Sequence, residues 1–78
     1  MDPVEINAGA WYLRGVPADA RYRWEVCEPI TGEAVATVTL DPEAAVMSSV
    51  GENAEAIEVA EQAVRRFAGQ ALGITIRD

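Results

Sequence analysis

The chain has 78 residues, 13 of them acidic and 6 basic, for a formal charge of −7. Its length excludes two domains and most complete catalytic folds, such as a full dinucleotide-binding sheet or an eightfold α/β barrel. Half of the residues are hydrophobic, which excludes a disordered tail, because disorder goes with low hydrophobicity.

In chain order, Ala10 to Arg14 is β-prone, and the strand is predicted to stop before Pro17, which has no N–H to give a ladder. Val4 to Ile6 extends this element, with Asn7 to Gly9 as a break. Arg21 to Glu28 alternates with period two. Tyr22, Trp24 and Val26 share one face, while Arg21, Arg23, Glu25 and Cys27 share the other. That pattern is a half-buried strand with one wet side. Pro29-Ile30-Thr31-Gly32 is a hairpin loop, with proline presetting φ and glycine free to turn. Glu33 to Leu40 is the next strand, with Ala34, Ala36, Val38 and Leu40 pointing one way and Val35, Thr37 and Thr39 the other. Asp41-Pro42-Glu43 breaks it. Val46 to Val50 is a weaker strand, with Val46, Ser48 and Val50 on one face, and Gly51 ends it.

Asn53 to about Ala71 is the clearest element. At about 100° per residue, Ile57, Ala60, Val64, Phe67, Ala68 and Ala71 form one apolar face. Val59 falls on the polar side. Asn53 is the expected N-cap, and Glu61 and Arg65 form a favourable i,i+4 pair. Gly73 closes the helix unless Gly69 ends it sooner. Ile74-Thr75-Ile76 is then a short final strand. The fold class is therefore α+β. An antiparallel sheet of three to five strands carries one long C-terminal amphipathic helix on one face, followed by that final strand. Residues 1–78 form a single domain.

Composition also bears on function. There is no histidine, hence no common general base, metal ligand or pH switch. The single cysteine, Cys27, forms no internal disulfide and no Cys-x-x-Cys pair, which fits a reducing compartment. All basic residues are arginine, which reads as codon bias. No run approaches the roughly 18–20 apolar residues of a membrane span. The start of the chain lacks the basic and apolar regions of a signal peptide. A cytoplasmic location is expected. The charge of −7 repels phosphate backbones and disfavours nucleic acid; it suits a basic protein partner.

Three groups of residues are candidate sites. An aromatic–arginine set, Trp11, Tyr12, Arg14, Tyr22, Arg23 and Trp24, would grip a partner or stack bases if it lay on an open sheet face. It would be core if Tyr22 and Trp24 sat under the helix. The acidic helix residues Glu52, Glu55, Glu58 and Glu61 drift around the helix instead of converging, so they read as a solvated face and not as a metal site. Catalysis would fall to Cys27, Ser48 or Ser49 with a carboxylate base, and no spacing recommends them. Phosphate-binding glycine patterns are missing. The sequence therefore implies no enzyme, cofactor or metal.

Two stretches resemble known families. Val35-Ala36-Thr37-Val38, Asp41-Pro42, Val46 to Val50, Gly51 and Ala54 to Phe67 together resemble the small HicB-type antitoxin domain. That family has a strand–strand–strand–helix–strand core with an Ala/Glu-rich helix after a glycine-containing turn. The likeness covers roughly half the chain. Ala45-Val46 stands where the family has Gly-Cys, and the DNA-binding segment that commonly follows is not in this sequence. The resemblance implies a protein-binding regulatory module. Trp24-Glu25-Val26, Thr31-Gly32-Glu33 and Val35 to Leu40 are similar to the early hairpin of GNAT-type acetyltransferases, without that family's acyl-CoA pyrophosphate loop. This implies at most an acyl-CoA or small-molecule binder without catalysis. An RNA-binding module of βββα type is a further alternative, against which the acidic helix start weighs.

The expected function is thus a small, acidic, cytoplasmic protein-binding or regulatory module. Its binding residues are Arg14, Arg21, Arg23, Trp24 and Glu25. Its contacts run through the wet sheet face or through a strand edge that pairs with a partner or a second copy.

Overall fold

A computed structural model describes residues 4–19 and 21–77; the first residues of the chain, read above for a leader, lie outside the described residues. The chain is an α+β domain. Its strands are β1 (Ile6–Ala8), β2 (Trp11–Val16), β3 (Tyr22–Cys27), β4 (Ala34–Asp41) and β5 (Val46–Gly51), followed by helix α1 (Ala54–Phe67). The five strands form one antiparallel meander in the order β1-β2-β3-β4-β5, which puts β3 in the middle and leaves β1 and β5 at the edges.

The first hairpin differs from the expected break. Asn7 and Ala8 belong to β1 and pair with Tyr12 and Trp11, and the turn falls at Gly9-Ala10. Ala8 is buried, so the polar Asn7 beside it is the outward position of a strand and not a breaker. The hairpin from β3 to β4 turns through Pro29 to Gly32 as expected. The hairpin from β4 to β5 is built on Asp41, whose carboxylate accepts from the backbone N–H groups of Glu43 (3.1 Å) and Ala44 (3.2 Å). Ala45 then takes a left-handed conformation, φ 57°.

The helix packs on one face of the sheet. Asn53 caps it, its side chain accepting from the N–H of Ala56 at 3.0 Å. Beyond Phe67 it widens into a π turn, Ala68–Leu72, and Gly73 closes it at φ 67°, a conformation that favours glycine. The buried helix residues are Ala56, Ala60, Ala63, Val64 and Ala68. This stripe is rotated from the expected one. Alanine contributes little to a hydrophobicity pattern, yet a helix approaches a sheet most closely where its side chains are smallest. With Ala56 and Ala63 counted, Val59 lies on the flank of the stripe and packs against the core. Ala71 is exposed, because the wider π turn changes the phase of the last residues.

The core is centred on Trp24, Leu13, Leu40, Val26, Val38 and Val64, all fully buried. Tyr22 stacks on Trp24 with ring centroids 5.8 Å apart, and Phe67 meets both rings edge-on at 5.3 and 5.6 Å. These are the offset and T-shaped geometries that ring quadrupoles favour. Ile74-Thr75-Ile76 does not form the expected strand. The returning chain makes one parallel bridge, Arg77 to Val46, with the N–H of Arg77 donating to the carbonyl of Ala45 at 2.8 Å. Burial of Ile76 anchors it.

Candidate functional site on the open sheet face

Because the one helix covers one side of the sheet, the alternation of each strand decides what the other side shows. On β2 Leu13 points to the helix, so Tyr12, Arg14 and Val16 point away. On β3 Tyr22, Trp24 and Val26 point to the helix, so Arg23 and Glu25 point away. On β4 Thr37 and Thr39 point away between the buried Ala36, Val38 and Leu40. On β5 the outward set is Val46, Ser48 and Val50, with Val50 69% and Val46 47% exposed.

The register sets these side chains in rows across the sheet. One row runs Val16, Arg23, Thr39, Ser48; the next runs Arg14, Glu25, Thr37, Val50. Arg14 donates to the Glu25 carboxylate, through Nε at 3.1 Å and also through Nη2. This bond and the charge of Glu25 hold the guanidinium still more firmly protonated. Arg21 lies 3.9 Å from an Asp41 carboxylate oxygen. Arg23 is exposed, and its side chain has neither a hydrogen bond nor an ion pair among the described residues. Tyr12 donates its phenol proton to Glu5, and that bond, with burial and the Glu5 charge, raises the phenol above its ordinary value of 10.0.

Four of the five predicted binding residues therefore share this surface. Arg14, Arg23 and Glu25 are on it, and Arg21 stands at its border, one residue before β3. Trp24 is a correction: it is 0% exposed, faces the helix, and is core. Its position between two outward residues on the same strand sends it to the opposite side. The aromatic–arginine set is likewise divided. Trp11 and Tyr22 pack against the core, and of this set Tyr12 stays with the arginines, so these described residues form no stacking platform for bases. Cys27 is buried, with Sγ 3.5 Å from the carbonyl oxygen of Glu25, as befits an ordinary strand residue.

Sequence reasoning missed Val16, Thr37, Thr39 and Val50, which line one shallow depression with Arg23 and Glu25. The signal was present: the alternation that turns Arg23 outward turns the two threonines outward as well. The acidic helix residues Glu52, Glu55 and Glu58 are exposed, on the layer behind the sheet. Glu61 accepts from the Ser49 hydroxyl, and Arg65 reaches the carbonyl of Ile76 at 3.4 Å.

Among the described residues no three His, Cys, Asp or Glu side chains are grouped to hold a metal ion. No described helix is long and apolar enough to cross a membrane. No protein-family model matches this chain, and no curated protein or solved structure matches it.

Proposed function

We propose that this chain is a small cytoplasmic binding module of regulatory type, acting by protein–protein contact through the uncovered face of its sheet. One observation carries the reading: the single helix leaves a five-stranded face open, and that face sets exposed Val46 and Val50 beside arginines at fixed register. An antiparallel sheet can keep one face in water. Partner-binding surfaces, however, combine apolar contact area with arginine, and this face has both. A basic partner region, as suggested by the net charge of −7, would find exposed acids away from the sheet face in Glu52, Glu55 and Glu58.

The test is capture from the native host with tagged wild-type chain, the variant Arg23→Ala/Val50→Asp, and the helix-face variant Glu58→Gln, each checked for folding by circular dichroism. A stoichiometric protein held by wild type and Glu58→Gln, and lost from the sheet-face variant, supports the reading. Identical eluates from all three overturn it. Light scattering on the purified chain separates a second copy from a different partner.

A further inference from the structure

We infer that the chain pairs with a second copy of itself along the outer edge of β5, through an antiparallel contact centred on Ser49 that joins two sheets into one. The contact lies at an edge, so it stands or falls apart from the reading of the open face. The two edges of the sheet differ. β1 has three residues, and so short an edge strand offers little to a partner. β5 has six, Val-Met-Ser-Ser-Val-Gly, with neither a charge nor a proline, the devices that usually guard an edge. On its inner side β4 pairs with it from Val46 to Gly51. On its outer side Arg77 bridges to Val46 in parallel and donates to the Ala45 carbonyl at 2.8 Å. Successive residues of a strand send their N–H and C=O to alternate sides, so Met47, Ser49 and Gly51 turn theirs outward as Ala45 does. The Met47 N–H faces Arg77 across the bridge. Beyond it, the Met47 carbonyl, both groups of Ser49 and the Gly51 N–H have no backbone partner among the described residues.

A second copy fits these groups better than an arbitrary extended segment, because they complement one another about a two-fold axis. With Ser49 opposite Ser49 of the second copy, each Ser49 N–H donates to the other's carbonyl. Each Gly51 N–H then donates to the Met47 carbonyl of the other copy, and all the free groups just named are used. On the open face Ser48 comes opposite Val50, which is 69% exposed in the single copy. On the helix side Met47 comes opposite Gly51, which has no side chain to crowd it. Charge agrees at the two ends of the contact. Gly51 is the last residue of β5, so Glu52 of one copy arrives beside Val46 and Arg77 of the other. Glu52 and Arg77 are exposed, and neither has an ion pair among the described residues. Their opposite charges therefore meet twice. Against the pairing stand the two Glu61 carboxylates, each holding the Ser49 hydroxyl of its own copy, Asp78 next to Arg77 in the sequence, and the −7 of each chain. At physiological salt the screening length is about 8 Å, which confines this repulsion to close neighbours.

The experiment is sedimentation equilibrium of the full chain at about 0.15 M salt, from roughly 0.02 to 2 mM, the weak range that suits so small an interface. The mass should rise from one copy toward two. In a sample that mixes differently labelled copies, NMR should show a contact between Hα of Ser48 in one and Hα of Val50 in the other. Residues flanking a hydrogen-bonded antiparallel pair approach to about 4.5 Å between Cα atoms. Ser49→Pro removes an N–H that β4 does not use and should weaken pairing about tenfold or more, the worth of two net hydrogen bonds. Ser49→Ala, which keeps the N–H, should not. Arg77→Glu should also weaken pairing, and adding Glu52→Arg should restore it. This charge exchange keeps the test open if circular dichroism shows Ser49→Pro unfolded. Arg23→Ala should leave pairing as it is, so failure of the open-face reading is seen separately. A chain that keeps the mass of one copy up to about 2 mM overturns the inference. So does a dimer without the Ser48–Val50 contact, or one that folded Ser49→Pro and Arg77→Glu both leave intact.

Discussion

Gly15 is where a one-carbon change should be most informative. It sits within β2, opposite Trp24, and the chain before β1 crosses over it. A Cβ at this position would lie 2.4 Å from the carbonyl oxygen of Val4, 2.5 Å from its nitrogen and 2.8 Å from its carbonyl carbon. All three are backbone atoms, so no side chain can swing aside. The same carbonyl accepts the indole N–H of Trp24 at 2.7 Å, and Trp24 is fully buried. Gly15→Ala must therefore either strain the backbone, at about 1–3 kcal/mol, or drive the Val4 segment away and leave a buried N–H unpaired, at about 1–3 kcal/mol. Part of each cost will be felt, for a loss of roughly 2–4 kcal/mol. A 78-residue domain has on the order of 4–12 kcal/mol in all. Without the crossing segment, alanine in a strand would be favoured over glycine by about 0.5–1 kcal/mol, so the sign itself is diagnostic. Urea unfolding gives the loss, and the exchange rate of the Trp24 indole proton reports the broken bond. Deleting residues 1–4 should cost less in the Gly15→Ala background than in wild type, because both act on one contact and their effects do not add. A loss under about 0.5 kcal/mol with the indole proton still protected would refute the reasoning.

Trp24→Ala empties the centre of the ring cluster and should cost about 3–5 kcal/mol, leaving little or no cooperative melting. Arg23→Ala, at an exposed position, should stay within about 0.5 kcal/mol of wild type; a reversed order in thermal denaturation would return Trp24 to the surface. Ala45→Gly should stabilise, because a left-handed alanine costs about 1–2 kcal/mol and glycine's extra unfolded freedom takes back about 0.5–1 kcal/mol; a lower melting temperature would contradict this. The phenol of Tyr12 should ionise above pH 10.0, the bond to Glu5 being the largest cause. A raised folded value means that its contribution to stability is whole below pH 10.0 and is lost as pH rises through the folded value. Proton NMR of the Tyr12 ring should show the midpoint fall toward 10.0 in Glu5→Gln, and an unmoved midpoint would reject the Glu5 assignment.

Much of this fold is legible in the sequence because two periods carry it. The alternation in Tyr22 to Cys27 and in Ala34 to Leu40 puts Trp24, Val26, Val38 and Leu40 on one side, and the stripe through Ala60 and Val64 supplies what covers them. Three features were not legible, each for a physical reason. Asn7 looks like a breaker because an outward asparagine in a three-residue strand has the composition of a turn. The true centre of the helix stripe, Ala56 and Ala63, is nearly silent on any hydrophobicity scale. Ile74 to Ile76 has strand composition, but core burial of Ile76 and one bridge hold it, and composition cannot tell anchoring from pairing.

The candidate surface shows a further limit. Period tells which residues share a face; which charges on that face cancel depends on register. Arg14 meets Glu25 and Val16 meets Arg23 because of how β2 and β3 are aligned. A slip of two residues keeps every side chain on its face. In one direction it places Arg14 opposite Arg23, a like-charge pair that a sheet disfavours. In the other it places Arg14 opposite Cys27 and leaves two arginines uncompensated. The observed register neutralises one arginine across this strand pair and leaves the other free at the centre of the sheet. Arg23 has no carboxylate opposite it on β2 in any of the three registers; what the observed alignment decides is that Arg14 meets Glu25, and the burial of Leu13 against Val26 on the opposite side holds that alignment. The same apolar packing that stabilises the domain thus decides which charges of the face cancel.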